Sequence, residues 1–499
     1  MLGVGWTRGA RYNPPMTVRT RYAPSPTGEP HLGNIRTALY GWLLARHHDG
    51  QFLLRIEDTD QQRYVEGGVE AQMSALKWLG LDWDEGPDVG GPFGPYVQSE
   101  RLEMYTSHAE RLLAEGHAYR CYCSPERLEE VRKAQQARKE PPRYDNHCRN
   151  LTPSDWDERE AQGLKPVVRF KTPLDGETEA HDALRGVVTF QNSTLDDFVI
   201  MKSDGYPTYH LAAIVDDHHM QITHVVRGEE WLPSAPRHFL IYQAFGWEPP
   251  VFAHVSRILG PDKAKLSKRH GAHSVLEYRE QGYIPDAVVN FLALLGWSLD
   301  DHTEIMTRET LVKNFSVERL LPNPAVFNAE KLLWMNGLYI REMPDEQLAE
   351  EVRPYLEEAL SSRIDMATLL RIIPIVKERI KLLPEIIDMA AFFFTDEPLQ
   401  YETADLLGKK AFADNPAEAK SALEKVIAAI DGVDWNHEAL EAAARPLADQ
   451  LGVKAGDLFG VIRVAVTGQT AAPPLFETME ILGRDKSLER LQAATAKLA

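Results

Sequence analysis

"RYAPSPTGEPHLGN", residues 21–34, places three prolines and two glycines between a β-branched and aromatic run, "TVRTRYAP" (17–24), and an apolar helical pattern. Prolines end the strand because the ring fixes φ and removes a hydrogen-bond donor. After the turn, "NIRTALYGWLLARHH" sets Ile35, Leu39, Trp42 and Leu43 at i, i+4, i+7 and i+8, the spacing of one helix face. "QFLLRIEDTD" (51–60) then returns as an apolar strand ending in carboxylates. Strand, tight turn, helix and strand make the seed of a parallel sheet, in which ligands gather at the C-terminal ends of strands.

Outward from this unit, a second helical pattern runs from Val65 to Leu81, and "GPDVGGPFGPY" (86–96) reads as a loop by its glycine and proline density. Residues 97–160 are charged and helix-rich. Strand-like runs follow at "VVRF" (167–170), "GVVTF" (186–190) and "DFVIM" (197–201), and "YHLAAIVDDHHMQITHVVRGEEW" (209–231) resumes the alternation of helix and apolar strand. The intervening stretch therefore reads as an insertion splitting the sheet. Beyond about residue 280 the pattern is helical, with proline breaks expected at 322, 324, 354, 374 and 398. No internal repeat or low-complexity tract is present.

The turn delivers His31 to Asn34 to a helix N-terminus, where free N–H groups and the helix dipole favour phosphate. Gly33 removes a side chain where a nucleotide would approach the backbone, and His31 would donate to phosphate oxygens. Taken alone, the same turn also reads as a capped helix with a structural histidine. Far along the chain, "KAKLSKR" (263–269) gathers cations in a glycine-flanked loop. Lys265 and Lys268 would both reach one polyphosphate if that loop folds over it; in isolation the segment also reads as a solvated charge run.

The 499 residues are 43% apolar and 26% charged, enough for several cores. No window is long and apolar enough for a membrane-spanning helix, so no membrane partner is expected. Residues 1–16 lack the apolar core of a secretory signal and read as a disordered extension, with Met16 an alternative start. Three cysteines are too few for a disulfide framework and fit a reducing cytoplasm. With 74 acidic and 55 basic side chains the net charge is −19, a weak argument against a polyanionic partner, since a basic strip on one face is compatible with it.

Read together, these motifs carry a resemblance. "PSPTGEPHLGN" resembles the HIGH motif and "KLSKR" the KMSKS motif of class I aminoacyl-tRNA synthetases. "RYAPSPTG", "RIEDTD", "SDGYPTYHLA", "VVRGEEW", "KLLWMNG" and "RVAVTG" follow the order found in the bacterial glutamyl-tRNA synthetase family, from Thr17 to near the C-terminus. The resemblance implies an α/β catalytic half, a Rossmann-like parallel sheet split by an acceptor-stem-binding insertion, followed by an all-α anticodon-binding half. Its boundaries would be a catalytic domain over 17–96 and 213–262, the insertion over 97–212, the lysine loop and a stem-contact domain over 263–344, and a helical domain of two subdomains over 345–499.

Carried over residue by residue, the resemblance assigns His31, Gly33, Asn34, Lys265 and Lys268 to ATP, with His31 and the two lysines stabilising the reacting phosphates. Arg21, Ser25, Glu57, Tyr209 and Arg227 match positions that hold L-glutamate. The chemistry is coherent, because a substrate with two carboxylates and one ammonium needs cationic forks, a hydroxyl donor and a facing carboxylate. Ala213 stands where some relatives have asparagine, so a direct side-chain contact there must be absent or replaced by water. Cys121, Cys123 and Cys148 match a zinc knob of some members. The usual fourth ligand position is Asn150, a poor zinc ligand, which leaves Tyr144 or His147. A tyrosine four residues before the last cysteine serves in a related tRNA-modifying enzyme, and three thiols without metal remain an equal alternative.

The implied activity is ATP-dependent, magnesium-assisted formation of glutamyl adenylate and transfer to the terminal adenosine of tRNA(Glu), by a cytoplasmic monomer. A non-discriminating form also charging tRNA(Gln) stays open, as does a non-catalytic nucleotide- or tRNA-binding module, against which Lys265 and Lys268 argue. The short tRNA-modifying relative ends soon after the lysine loop, and glutaminyl-tRNA synthetase has a β-barrel anticodon half, whereas residues 345–499 read as helices. Arg371, Lys377 and Arg379 are candidates for anticodon contacts or members of a solvated helix face.

Overall fold

A computed structural model describes residues 17–266 and 274–498; the expected amino-terminal extension and Lys268 lie outside the described residues. The chain divides into two compact units, one of residues up to 279 together with 288–329, the other of 280–287 together with 330–499.

The first unit begins with strand β1 (Arg19–Tyr22), helix α1 (Leu32–His47) and strand β2 (Gln51–Leu54). β1 and β2 pair in parallel, Arg21 opposite Leu53, as the βαβ reading requires. The helix is more buried than a single stripe predicts. Besides Ile35, Leu39, Trp42 and Leu43, the residues Arg36, Ala38, Tyr40, Leu44 and Ala45 are buried, because α1 packs against strands and also against a later helix, Arg308–Asn314.

Helices α2 (Gly68–Trp78) and α3 (Leu102–Ala114) lead into strand β3 (Ala118–Cys121), and helices α4 (Pro125–Ala137) and α5 (Pro153–Ala161) into strand β4 (Val167–Phe170). A hairpin of β5 (Glu177–Asp182) and β6 (Gly186–Gln191) precedes strand β7 (Val199–Met201). Helix α6 (Tyr209–His219), strand β8 (His224–Gly228), helix α7 (Ala235–Phe245) and strand β9 (Val251–Val255) complete the sheet region. β3, β4 and β7 form one antiparallel sheet. The hairpin joins a second sheet, of order β6-β5-β9-β8, in which β8 and β9 run parallel. Strand β5, "ETEAHD", escapes an apolar-run reading because its alternate residues are exposed acids and histidine while Thr178, Ala180 and Asp182 face inward. β1 lies beside the start of β8, where the Thr223 N–H donates to the Arg19 carbonyl at 2.9 Å.

The second unit is helical, from Ala329–Glu342 to Arg484–Lys497. It holds two apolar clusters, one around Val352, Leu356, Leu369, Ile372 and Ile373, the other around Leu423, Val426, Leu440, Val461 and Ile462. The breaks expected at Pro354 and Pro374 do not occur: both prolines sit inside helices, Asp345–Leu360 and Met366–Val376. An interior proline costs about 3 kcal/mol. Burial of Leu348, Val352 and Leu356 on one face, and of Leu369, Ile372, Ile373 and Val376 on the other helix, is large enough to offset it. No helix among the described residues is long and apolar enough to cross a membrane.

Candidate active site

Two adjoining cavities open at the C-terminal ends of β1 and β8. The first, of about 540 Å³, is lined among others by Arg21, Ser25, Glu57, Tyr209 and Arg227, so the fold brings these five residues to one space from four separate segments. The second, of about 640 Å³, is lined by His31, Gly33, Asn34, Lys265, Leu266 and Ser274. Asn34, Thr37, Gly228 and Glu230 line both, so the cavities share a wall. Ala213 is buried within α6 and lines neither.

Around the second cavity the segment carrying the lysines is tied to α1 at both ends. Arg36 of α1 donates to the carbonyls of Leu295, at 2.6 Å, and Ser256, and the Tyr40 hydroxyl donates to the Leu295 carbonyl at 2.9 Å. On the far side, Ser274 bridges to His31, and the Val275 N–H donates to the Pro30 carbonyl at 3.2 Å. A tight turn sets Lys265 opposite Leu259, closed by the Gly260 N–H on the Ala264 carbonyl at 2.9 Å. Leu266 and Ser274 line this cavity; Lys268 lies outside the described residues.

The expected role of the helix N-terminus needs a correction. The N–H groups of Gly33 and Asn34 are not free for phosphate, because His31 Nδ1 accepts from both, at 3.1 and 3.4 Å. The absent side chain of Gly33 is explained by the same ring: a Cβ would lie 3.1 Å from His31 Cε1 and 3.2 Å from Nδ1. With Nδ1 accepting, the proton of a neutral imidazole sits on Nε2, which stays available as a donor. Desolvation lowers the pKa of this imidazole, against the pull of Glu230 and with the help of Lys265.

The first cavity rests on buried charge. Arg21 Nε donates to Asp217 Oδ1 at 3.1 Å, and Arg55, fully buried, donates to Asp217 at 2.8 Å and to Glu57 at 2.9 Å. Asp216 accepts from Arg101 at 2.7 Å, Gln98 at 2.8 Å and the Tyr105 hydroxyl at 2.8 Å. Burial opposes ionisation of Asp217, but Arg21 and Arg55 outweigh it and hold the carboxyl below its usual range. For Glu57 burial wins and raises the pKa, with Arg55 and Arg21 opposing. Arg227 is held by neutral groups: Nε donates to His254 Nε2 at 2.9 Å, and Nη1 meets the Tyr209 hydroxyl and His238 Nδ1, each at 3.1 Å. Trp231 packs on Tyr209 with ring centroids 4.3 Å apart.

Arg55, Asp216, Asp217, Asp182, His238 and His254 were not singled out by sequence reasoning. The "DD" of α6 is a usable signal, since it ends the apolar run of a helix whose Leu211, Ala212, Ile214 and Val215 are all buried.

In the β3–β4 region, the sulfurs of Cys121, Cys123 and Cys148 lie within 4.8 Å of one another, and Cys123 and Cys148 Sγ are 3.6 Å apart. The Tyr144 hydroxyl is 3.3 Å from Cys121 Sγ and 3.4 Å from Cys123 Sγ, while His147 and Asn150 are exposed. Tetrahedral zinc with bonds of about 2.3 Å to sulfur and 2.0–2.2 Å to oxygen places its ligand atoms roughly 3.5–3.8 Å apart, so this clustering is compatible with such an ion. Arg127 Nη1, 3.4 Å from Cys123 Sγ, and Arg169, 3.9 Å above the Tyr144 ring, bring positive charge beside these four groups.

Comparison with known proteins agrees with this architecture. Residues 17–334 match the family model "tRNA synthetases class I (E and Q), catalytic domain", and residues 347–495 match an anticodon binding domain. A glutamate–tRNA ligase of Dehalococcoides mccartyi is 52% identical over 487 residues, 97% of this chain and 98% of the relative, and one of Moorella thermoacetica is 46% identical over 96% and 98%. The crystal structure of a glutamate tRNA ligase from Elizabethkingia meningosepticum, in complex with its amino acid, superposes with a TM-score of 0.88 at 37% identity, covering 97% of this chain and all of the other. By full-length identity, matched domains and superposed fold, the chain belongs to the glutamate–tRNA ligases, class I aminoacyl-tRNA synthetases.

Proposed function

We propose that this chain activates L-glutamate with Mg-ATP in the two adjoining cavities and transfers it to the 3′-terminal adenosine of tRNA(Glu). The shared wall supports this reading, because a glutamate in the first cavity and an ATP in the second would meet there. In this reading Glu57 faces the ammonium, Arg21 and Arg227 take the carboxylates, Tyr209 donates a hydroxyl hydrogen bond and Ser25 closes the site from the turn. His31 Nε2, Asn34 and Lys265 face the phosphates, Gly33 permits the histidine cap, and Lys268 adds a second ammonium.

The α-carboxylate oxygen attacks the α-phosphorus, and the bond to pyrophosphate breaks with its electrons leaving on pyrophosphate. A ribose hydroxyl of the tRNA then attacks the carbonyl carbon, the acyl–oxygen bond to AMP breaks with its electrons leaving on AMP, and the hydroxyl proton is lost to the AMP phosphate or to water. No side chain needs to form a covalent bond; positioning and electrostatic stabilisation carry the rate. Cys121, Cys123, Cys148 and Tyr144 would hold a structural zinc, which would cross-link β3 to the following loop. The reading includes a cytoplasmic enzyme active as a single chain.

Charging of purified tRNA(Glu) and tRNA(Gln), side by side with labelled glutamate, tests the proposal. Glutamylation of tRNA(Glu) is expected, and product on tRNA(Gln) as well would identify the non-discriminating form. Failure to charge either, with no tRNA-dependent pyrophosphate exchange, would overturn it in favour of a non-catalytic binding module.

A further inference from the structure

Arg21 and Arg227 line the same cavity but keep different company. The charge of Arg21 is matched by Asp217, whose two oxygens lie 3.1 and 3.4 Å from its Nε and Nη2. Arg227 is 5% exposed, and among the described residues no carboxylate lies within ion-pair distance of its guanidinium. Its Nε–H goes to His254, its Nη1 donors go to Tyr209 and His238, and Nη2 has no partner although it is buried. Three of its five N–H donors are thus spent on uncharged acceptors.

The hydrogen bonds also set the two imidazole tautomers. His254 Nδ1 lies 2.6 Å from Asp182 Oδ2, so Nδ1 carries the proton and Nε2 accepts from Arg227. His238 accepts on Nδ1, and its Nε2 lies 3.1 Å from His210 Nδ1, so that Nε2–H donates onward. Burial, reinforced by Arg227, keeps His238 well below the usual imidazole pKa. Burial also lowers that of His254, although Asp182 opposes it. Burial with Arg237 and Arg227 brings His210 to about 4. With one ring nitrogen of each accepting from Arg227, His238 and His254 meet it as neutral imidazoles.

We propose that His238 and His254 are positioning residues that set the preference for a carboxylate over an amide, because they fix the guanidinium of Arg227 without cancelling its charge. The substrate's side-chain carboxylate is then the counterion that Arg227 lacks, whereas glutamine brings no charge to pair with the guanidinium. Had either position been an acid, the arginine would be held as firmly but already neutralised, as Arg21 is by Asp217. This inference rests on the reading of Arg227 as a glutamate contact.

The test compares His238→Asn with His238→Asp, side chains of one size that differ in a single charge and both offer an acceptor near the position of Nδ1. Measured by tRNA-dependent pyrophosphate exchange, H238N should keep the glutamate KM within about fivefold of wild type, and H238D should raise it about 30- to 100-fold at unchanged ATP KM. The ratio of kcat/KM for glutamate over glutamine should fall at least about tenfold in H238D alone. Equal losses in both variants, with matching losses of thermal stability, would show a merely structural role and overturn the proposal. Independently of any variant, nitrogen NMR of the imidazoles in wild-type enzyme with glutamate bound should show His238 and His254 neutral at pH 7, unprotonated on Nδ1 and Nε2 respectively; a cationic ring at either place would also overturn it. R227A, run in parallel, separates the two levels: an unchanged glutamate KM would refute the placement of glutamate itself, while a raised KM beside equivalent H238N and H238D would refute only the role of the histidines.

Discussion

Replacing Asp217 by asparagine removes one charge from a buried cluster that is otherwise balanced. Arg21, Arg55 and Arg101 face Glu57, Asp216 and Asp217, with side-chain exposures between 0% and 7%. Asp217 sits 3.1 Å from Arg21 and 2.8 Å from Arg55, where an effective dielectric of about 20 gives gross attractions of about 5 and 6 kcal/mol. Relief of the aspartate's own desolvation offsets much of that sum. The remaining cost, one uncompensated buried positive charge, is about 3–5 kcal/mol. For a unit of about 320 residues, at roughly 2 cal/mol/K of unfolding entropy per residue, this lowers Tm by about 5–8 °C. Scanning calorimetry of D217N against wild type reads the shift. The glutamate KM should rise as well, since Arg21 loses the partner that orients it, while the ATP KM stays. A Tm loss below about 1 °C with an unaltered glutamate KM would refute the view that this cluster supports the site.

Gly33→Ala should displace the His31 ring, since the new methyl would lie 3.1 Å from Cε1. The lost cap costs about 1 kcal/mol and the gain in helix propensity is about as large, so steady-state kinetics should show the ATP KM raised about 3- to 10-fold with Tm nearly constant; an unchanged ATP KM would separate His31 from nucleotide binding. Metal analysis after mild purification should find about one zinc per chain, reduced in Y144F with the fold retained; substoichiometric zinc in the wild type would leave three thiols without metal. His210 and His224, each lowered by burial to about 4, bind more protons when unfolded than when folded. Their stabilisation is therefore complete above pH 6.5 and lost as pH falls toward 4, on the order of 3 kcal/mol for each. Urea midpoints should already decline between pH 6.5 and 5, and a flat profile there would contradict half-buried rings held neutral.

The parts of this molecule legible from sequence were those whose cause is local. The turn at Pro24–Pro30 and the stripe Ile35, Leu39, Trp42 and Leu43 announce strand, turn and helix because proline geometry and helical periodicity act over a few residues. Glutamate- and phosphate-facing candidates were legible through their motifs, and the fold gathers those that are described into two adjoining cavities. What holds them was not legible. Arg55 and Asp217 meet across 162 positions, His254 and Asp182 across 72, and no periodicity reports a pairing made only when strands and helices assemble. The sequence pattern also misleads where burial overrides a local rule: Pro354 stays inside a helix, and the helix N-terminus at Gly33 is capped by His31 instead of left open.

In the proposed reaction glutamate and ATP occupy neighbouring cavities whose shared wall lets the carboxylate reach the α-phosphate. Calorimetric titration with a non-hydrolysable glutamyl-adenylate analogue, in the presence of tRNA, tests it most directly. One analogue should bind per chain, displaced by glutamate alone or by ATP alone, with binding weakened in both R227A and K265A. An analogue that ATP displaces but glutamate does not, or that only one of the two variants weakens, would contradict it.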